Sequence, residues 1–309
     1  KIFKVLIYPS SLMKKKKTIY TSSEIQQILL PLIQRVELLR QELLPQKNKK
    51  ARNRKTKNKT VIIGLQGGQG TGKTTLGRFL VRQLRNKGYR VVSFSLDDFY
   101  QSAAQRKKLQ QRYPDNPFYQ ISRGMPGTHR VSLLKETLQR LRHGRDVELP
   151  VFDKSLRHGF GDISRRTSAV RGRQDFVIVD GWCLGIPVLS SKELVRICRK
   201  NKINLWVLDP RLQHHKIVLH YIRQYQPLWK FLDYLIMLKP DAPELHTRWR
   251  RQQERELRRR TGRAGMTKAE INHFVQVYLP FTYVSYEKVK ADVLLRIDKK
   301  HHLYAVVYN

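Results

Sequence analysis

The run Gly67-Gly68-Gln69-Gly70-Thr71-Gly72-Lys73-Thr74-Thr75 satisfies the spacing G-x-x-x-x-G-K-[ST] from Gly67 to Thr74. Glycines lack the Cβ that would keep backbone N–H groups from closing around phosphate oxygens. Lys73 is placed to reach the β- and γ-phosphates, and Thr74 to offer its hydroxyl to Mg²⁺. Residues 67–75 therefore predict a nucleoside-triphosphate site, although such a loop does not choose among kinase, motor, GTPase and helicase.

Further along, Asp97-Asp98-Phe99-Tyr100 follows an apolar run. A kinase needs a carboxylate to orient an acceptor hydroxyl and take its proton. Asp97 is the residue expected to do this, with Asp98 capping or supporting the next turn. Asp180, after Phe176 to Val179, stands where an acidic residue can hold the Mg²⁺ shell. The turn-rich segment Arg123-Gly124-Met125-Pro126-Gly127-Thr128-His129, the segment Pro150 to Ser155, and Arg157, His158, Arg165 and Arg166 offer cations to a carboxylate or phosphate. From Glu244 to Arg260 the pattern is helical and rich in arginine, with Gly262 and Gly265 beyond it. Such a segment suits a lid over about 241–270, in which one to three arginines neutralise charge on a moving phosphoryl group; Arg251 is the one named for that role. The ten histidines show no metal-ligand spacing: His214-His215 and His301-His302 are adjacent pairs, which diverge on a helix or a strand.

The elements that must position these groups are legible as apolar runs. Val61 to Leu65, Val91 to Leu96, Phe176 to Val179, Leu205 to Leu208 and Tyr234 to Leu238 read as short buried strands. Helical patterns follow the glycine loop and cover about Val131 to Arg142 and about Leu212 to Lys230. Another begins at Met266-Thr267, with Thr267 and Glu270 as a capping box, and is expected to stop at Leu279-Pro280. Val293 to Ile297 and Leu303 to Val307 read as a terminal hairpin. The pattern predicts an α/β fold: a mostly parallel sheet with helices on both faces and an arginine-rich helical lid.

Before this core lies a helical extension in residues 1–45, where Ser22 and Ser23 offer caps and Pro31 kinks the helix or marks its start. Residues 46–60 are a basic linker, with eight cations and no acid from Gln46 to Lys59. It reads as solvated chain; a nucleic-acid arm is the sharper reading, weakened by the lack of aromatics for base stacking. The kinase-like domain spans 61–309. The first residue is Lys1, and Met13 is an alternative start; Ile2 to Ile7 is too short and interrupted for a signal peptide.

Composition sets the outer limits. In 309 residues, 40% are hydrophobic, enough for a sizeable core. The net charge of +38 predicts attraction to polyanions. Two cysteines, Cys183 and Cys198, exclude a disulfide scaffold or cysteine zinc cluster and fit a reducing compartment. A run of about 18 apolar residues, as a membrane span requires, is missing.

Taken together, residues 67–75, Ser95 to Tyr100, Arg123 to His129, Phe152 to Ser155 and Asp180-Gly181-Trp182-Cys183-Leu184-Gly185 resemble the D-glycerate 3-kinase family. That family is similar to the wider uridine kinase, phosphoribulokinase and pantothenate kinase group. Trp249 to Glu254, Gly265 to Thr267 and Phe274 to Pro280 also look like its C-terminal part. The resemblance covers about Val61 to the C-terminus. It implies Mg·ATP-dependent phosphorylation of D-glycerate to 3-phospho-D-glycerate, a photorespiratory step in phototrophs, in the cytoplasm or a plastid stroma. It places the base on Asp97 and Mg²⁺ on Thr74 and Asp180. Candidate acceptor contacts are Asp97, Tyr100, Arg123, His129, Asp153, Lys154 and Arg157. Two departures stand out: Arg130 replaces an acid that usually follows Pro-Gly-Thr-His, and Asp180 stands where many relatives carry Glu. A different small acceptor, such as pantothenate, a nucleoside or a sugar phosphate, is the alternative, and a nucleic-acid-associated NTPase the third.

Overall fold

The computed structural model describes residues 19–43, 59–261 and 266–309. Ile2 to Ile7, Met13, all of the basic stretch before Lys59, and Gly262 and Gly265 lie outside the described residues.

In chain order the helices are α1 (Ser22–Glu24), α2 (Leu30–Leu43), α3 (Lys73–Asn86), α4 (Ala103–Arg112), α5 (Val131–Arg142), α6 (Ser191–Lys200), α7 (Leu205–Leu208), α8 (His214–Trp229), α9 (Glu244–Thr261) and α10 (Lys268–Lys288). The strands are β1 (Val61–Gly67), β2 (Val91–Ser95), β3 (Val147–Asp153), β4 (Asp162–Val170), β5 (Phe176–Gly181), β6 (Tyr234–Pro240), β7 (Val293–Ile297) and β8 (Leu303–Tyr308). A six-stranded sheet runs β2-β5-β1-β6-β7-β8, and β3 pairs with β4 in a separate hairpin. All neighbours in the large sheet are parallel except β7 and β8. It is the expected α/β arrangement.

Helices on both faces explain why β1 is buried throughout and apolar up to Gln66, whose Nε2 donates to Trp182 O. Val61, Ile63 and Leu65 join α2 and α3 in one core cluster, while Ile62 joins α5, α6, α8 and α10 in the other. The carboxyl ends of β1, β2 and β5 adjoin through the pairs Gln66–Gly181 and Ser95–Asp180. They form the crevice in which an open α/β sheet binds ligands.

Two sequence expectations need correction. Leu205 to Leu208 is one helical turn, not a strand. Leu205 and Leu208 are buried while Val207 is exposed, so a spacing of three decides, which a short apolar run does not reveal. Likewise α10 continues through Pro280 to Lys288. Val277, Phe281 and Val284 are wholly buried on it, and their packing outweighs the N–H that proline lacks. Near the N-terminus, Pro31 is accommodated by a π-helical turn, Ile25–Leu29, in which Leu30 N–H donates to Ile25 O.

The N-terminal helix is seated against the domain. Leu29, Leu32, Ile33 and Val36 share the cluster of Phe79 and Leu80. Arg40 pairs with Asp175, and Glu24 Oε1 accepts from Leu303 N–H at 2.7 Å. Leu32→Ala should therefore lower the unfolding free energy by about 2–5 kcal/mol in a urea titration. A loss below about 0.5 kcal/mol, the surface-substitution range, would contradict this packing.

Candidate active site

The phosphate loop leaves β1 at Gly67 and enters α3 at Lys73, on a left-handed Gly72. The first bond of α3 runs from Leu76 N–H to Gly72 O, so the N–H groups of Lys73, Thr74 and Thr75 have no partner within the helix. Such N–H groups, with the helix dipole, favour an anion. The loop's carbonyls are held by surrounding donors. Thr71 Oγ1 donates to Gly68 O at 2.9 Å and Lys73 Nζ donates to it at 2.8 Å. His246 Nδ1 lies 2.8 Å from Gln69 O, and His301 Nε2 lies 2.5 Å from Gly70 O. A carbonyl only accepts, so His246 carries its proton on Nδ1 and His301 on Nε2. Burial pushes His246 down to about 4, which keeps the ring neutral. Gly68 N–H donates to Tyr286 Oη at 2.8 Å. Gly70 has φ +77°, and a Cβ there would come within 2.8 Å of Trp249 Cβ on α9.

The second group gathers where β2 ends. Ser95 opens a 3-10 turn, Leu96–Phe99, and its capping box uses Asp98: Ser95 N–H donates to Asp98 Oδ2 at 2.9 Å. Ser95 is thus the cap, Asp98 supports it by accepting the Ser95 N–H, and Asp97 faces the crevice. Tyr100 Oη donates to Asp97 Oδ1 at 2.7 Å, and Lys154 Nζ donates to Asp97 Oδ2 at 2.7 Å. The His129 ring stacks on Tyr100 with centroids 4.4 Å apart, and its Nδ1 meets Tyr225 Oη at 2.7 Å. The His129 Nε2 is buried without a partner. Burial lowers His129 to about 4.

Electrostatics separates the carboxylates. Burial alone would raise Asp97, but the Lys154 ammonium and hydrogen bonds from Lys154 and Tyr100 hold it well below the usual carboxylate range. Asp98 and Asp180 are raised, chiefly by burial. Lys73 is lowered by burial, against the pull of Asp180 and Asp97. Asp97 is consequently the carboxylate kept ionised in this arrangement, and it is a weak base for as long as Lys154 remains its partner.

The remaining expected residues divide. Asp97, Tyr100, His129 and Lys154 meet at one point. Arg123 Nη1 donates to Gly159 O and Phe160 O at 2.9 and 2.8 Å, and Tyr278 Oη donates to Arg123 O at 2.7 Å. Asp153 Oδ1 accepts from Ser155 N–H and Oγ, and Arg157 pairs with Asp162 at 3.2 Å, so both shape the loop that carries Lys154. Arg130 Nε donates to Tyr100 O at 3.1 Å. Arg251 lies elsewhere. On α9, His246 and Trp249 face the phosphate loop, whereas Arg251 donates to Asn272 Oδ1 at 2.7 Å on the opposite face. The expected contact between Arg251 and the phosphoryl group is therefore not part of this geometry; a spacing of arginines on a helix does not fix which face turns inward.

Arg106, His246, Tyr286 and His301 were not foreseen. Arg106, buried in α4, donates to the carbonyls of Gln101, Ser122, Phe160 and Gly161 and ties the acceptor-side loops together. Burial lowers it to about 10, with Arg123 adding to the shift. His246 and His301 meet the loop from 177 and 231 residues away, beyond the reach of any local pattern.

The donors at the crevice also suit a hard divalent cation. Thr74 has an exposed hydroxyl, and Asp180 Oδ1 accepts from Ser95 Oγ at 2.8 Å. Mg²⁺ keeps several waters and needs only one or two protein oxygens besides phosphate, so this pair fits it. Among the described residues no cluster of three His, Cys, Asp or Glu forms a metal cage, and no helix is long and apolar enough to cross a membrane.

No described family profile matches the chain. An uncharacterized kinase of Schizosaccharomyces pombe is 36% identical over 236 residues, 73% of this chain and 80% of that one. A probable ATP-dependent kinase of Saccharomyces cerevisiae is 30% identical over 230 residues, 71% of this chain and 76% of its own. The chloroplastic D-glycerate 3-kinase of Arabidopsis thaliana is 31% identical over 227 residues, 71% of this chain but 46% of that relative's length. A uridine kinase of Staphylococcus epidermidis is 32% identical over 127 residues, 40% of this chain and 53% of its own. Among solved structures, D-glycerate 3-kinase from Cryptococcus neoformans superposes with a TM-score of 0.75 at 26% identity, covering 90% of this chain and 99% of that one.

A titration checks the electrostatics. The folded pKa of Asp97 lies below its unfolded value, so the stability it contributes is present above the unfolded pKa and lost as pH falls through the folded one. Lys154→Met removes the cation and leaves burial to dominate, so the Asp97 midpoint in a carboxyl-carbon NMR titration should move up. An unmoved midpoint would show that Lys154 does not control it.

Proposed function

The chain belongs to the P-loop kinases related to D-glycerate 3-kinase and uridine kinase, and we propose that within this family it transfers the γ-phosphoryl group of ATP to a hydroxyl of D-glycerate, forming 3-phospho-D-glycerate. The observation that carries the acceptor reading is the contact between Lys154 and Asp97: an ammonium and an ionised carboxylate side by side in the crevice that the phosphate loop borders.

In this reading the unpaired N–H groups at the start of α3 and Lys73 bind the phosphates. Lys73, which bonds Gly68 O here, would swing to the β- and γ-phosphates. Thr74 and Asp180 would hold Mg²⁺, which when bound spreads the negative charge of the phosphates. Lys154 would exchange Asp97 for the carboxylate of glycerate, and Arg123 borders the same space. Asp97, then free of its ammonium partner, accepts the proton of the attacking hydroxyl as the new P–O bond forms and ADP leaves. Tyr100 keeps the carboxylate oriented through Oδ1. His129, neutral and with Nε2 unpaired, is available to a substrate hydroxyl. A second reading rests on Arg130, whose guanidinium sits on the Tyr100 carbonyl where the family resemblance expects an acid; it keeps the chemistry and changes the acceptor.

The deciding assay is ADP release from Mg·ATP with D-glycerate, beside L-glycerate, pantothenate, uridine and no acceptor. Release with D-glycerate alone is expected; release with another acceptor would replace the substrate, and no acceptor-dependent release would remove the kinase reading. Asp97→Asn should lower kcat by roughly 10²-fold or more with the fold intact. Near-normal turnover in that variant would take Asp97 out of the proton transfer.

A further inference from the structure

A groove of about 650 Å³ lies behind the lid helix, on the side away from the phosphate loop. Its walls come from α9, from α10 and from the turn between α6 and α7. It is lined by Arg248, Arg251, Arg255 and Lys202, with Glu244 as its only carboxylate. None of these cations forms an ion pair within the described residues, although Arg250 pairs with Glu254 within α9 and Lys288 of α10 pairs with Glu193 of α6. The three arginines recur on successive turns of one helix face, where like charges repel. Arg251 is fixed by its bond to Asn272, and its Nε is buried with no partner. The groove also has an apolar side, since Val207 is 65% exposed along it.

We infer that this groove is a second anion-binding site, distinct from the nucleotide crevice, for a small organic phosphate. Planar guanidinium groups match phosphate oxygens in pairs, and an anion there removes the repulsion along α9. A volume within the ordinary range of small-molecule pockets, with an apolar wall, suits an organic body better than a bare ion. The ligand would bridge the lid helix to α10 and to Lys202 in the turn between α6 and α7. The opposite face of α9 carries His246 and Trp249 on the phosphate loop, so occupancy of the groove would bias where the lid rests and hence nucleotide binding.

Calorimetric titration of the full chain tests this with three probes taken separately: inorganic phosphate, fructose 1,6-bisphosphate and ADP. Each is run against wild type, Lys73→Ala, and the double variant Arg251→Ala/Arg255→Ala. Lys73→Ala weakens phosphate binding at the loop and leaves the groove intact. We expect an organic phosphate to bind Lys73→Ala, and to bind the arginine variant roughly tenfold or more weakly than wild type. Binding by ADP to Lys73→Ala that the arginine substitutions weaken identifies the ligand as a nucleotide, and the same behaviour of the bisphosphate identifies a sugar phosphate. Arg248→Gln, on an exposed side chain, must weaken the same probe, which keeps the test valid should the double variant misfold. The inference is overturned if no organic phosphate binds Lys73→Ala at up to ~10 mM, or if the arginine substitutions leave affinity unchanged.

Discussion

A loop that gathers phosphate must turn peptide N–H groups toward the ligand, and this turns carbonyls back into the protein, where each needs a donor. The rest of the structure depends on meeting that requirement. Gly68, Gln69 and Gly70 receive their donors from Thr71 and Lys73 within the loop, from His246 on α9 and from His301 in the β7–β8 turn. The His301 ring stacks on Trp249 at 4.0 Å between centroids, so the hairpin and α9 brace one another while both brace the loop. Tyr286, from the far end of α10, completes the frame at Gly68 N–H. The start of α9 is thus part of the frame around the phosphate loop.

The acceptor side is organised by charge. Three carboxylates, Asp97, Asp98 and Asp180, share the crevice with Lys73 and Lys154, and like charges so close cannot serve one purpose. Their hydrogen bonds assign them different work. Asp98 supports the Ser95 cap, Asp180 accepts from Ser95 Oγ, and Asp97 is left with an exposed cation, Lys154. An ammonium 57% exposed on a long side chain can trade partners at little cost, which a buried arginine pair could not.

Much of this was legible from local pattern. The glycine loop announces itself by the spacing of its own residues and the strands that flank it by their apolar runs, while the Thr267–Glu270 capping box and the terminal hairpin rest on interactions within a few residues. The supporting place of Asp98 follows from its position three residues after Ser95, as in any capping box. What remained hidden depends on distant partners. Leu205 to Leu208 reads equally as strand or turn until its neighbours are known, and Pro280 ends a helix only where packing does not sustain it. Arg251 was chosen from a row of arginines whose inward face only the docking of α9 determines. His246 and His301 carry no sequence signal for their task, since a donor to a carbonyl needs only the right place.

The central claim is that residues far from the glycine motif hold its carbonyls and thereby set nucleotide affinity. The most direct measurement is the calorimetric affinity for Mg·ATP of wild type and of His246→Ala/His301→Ala, with thermal unfolding recorded on both. Two unsatisfied carbonyls should weaken binding by roughly tenfold or more in a protein that remains folded. Equal affinities in wild type and variant would contradict the account.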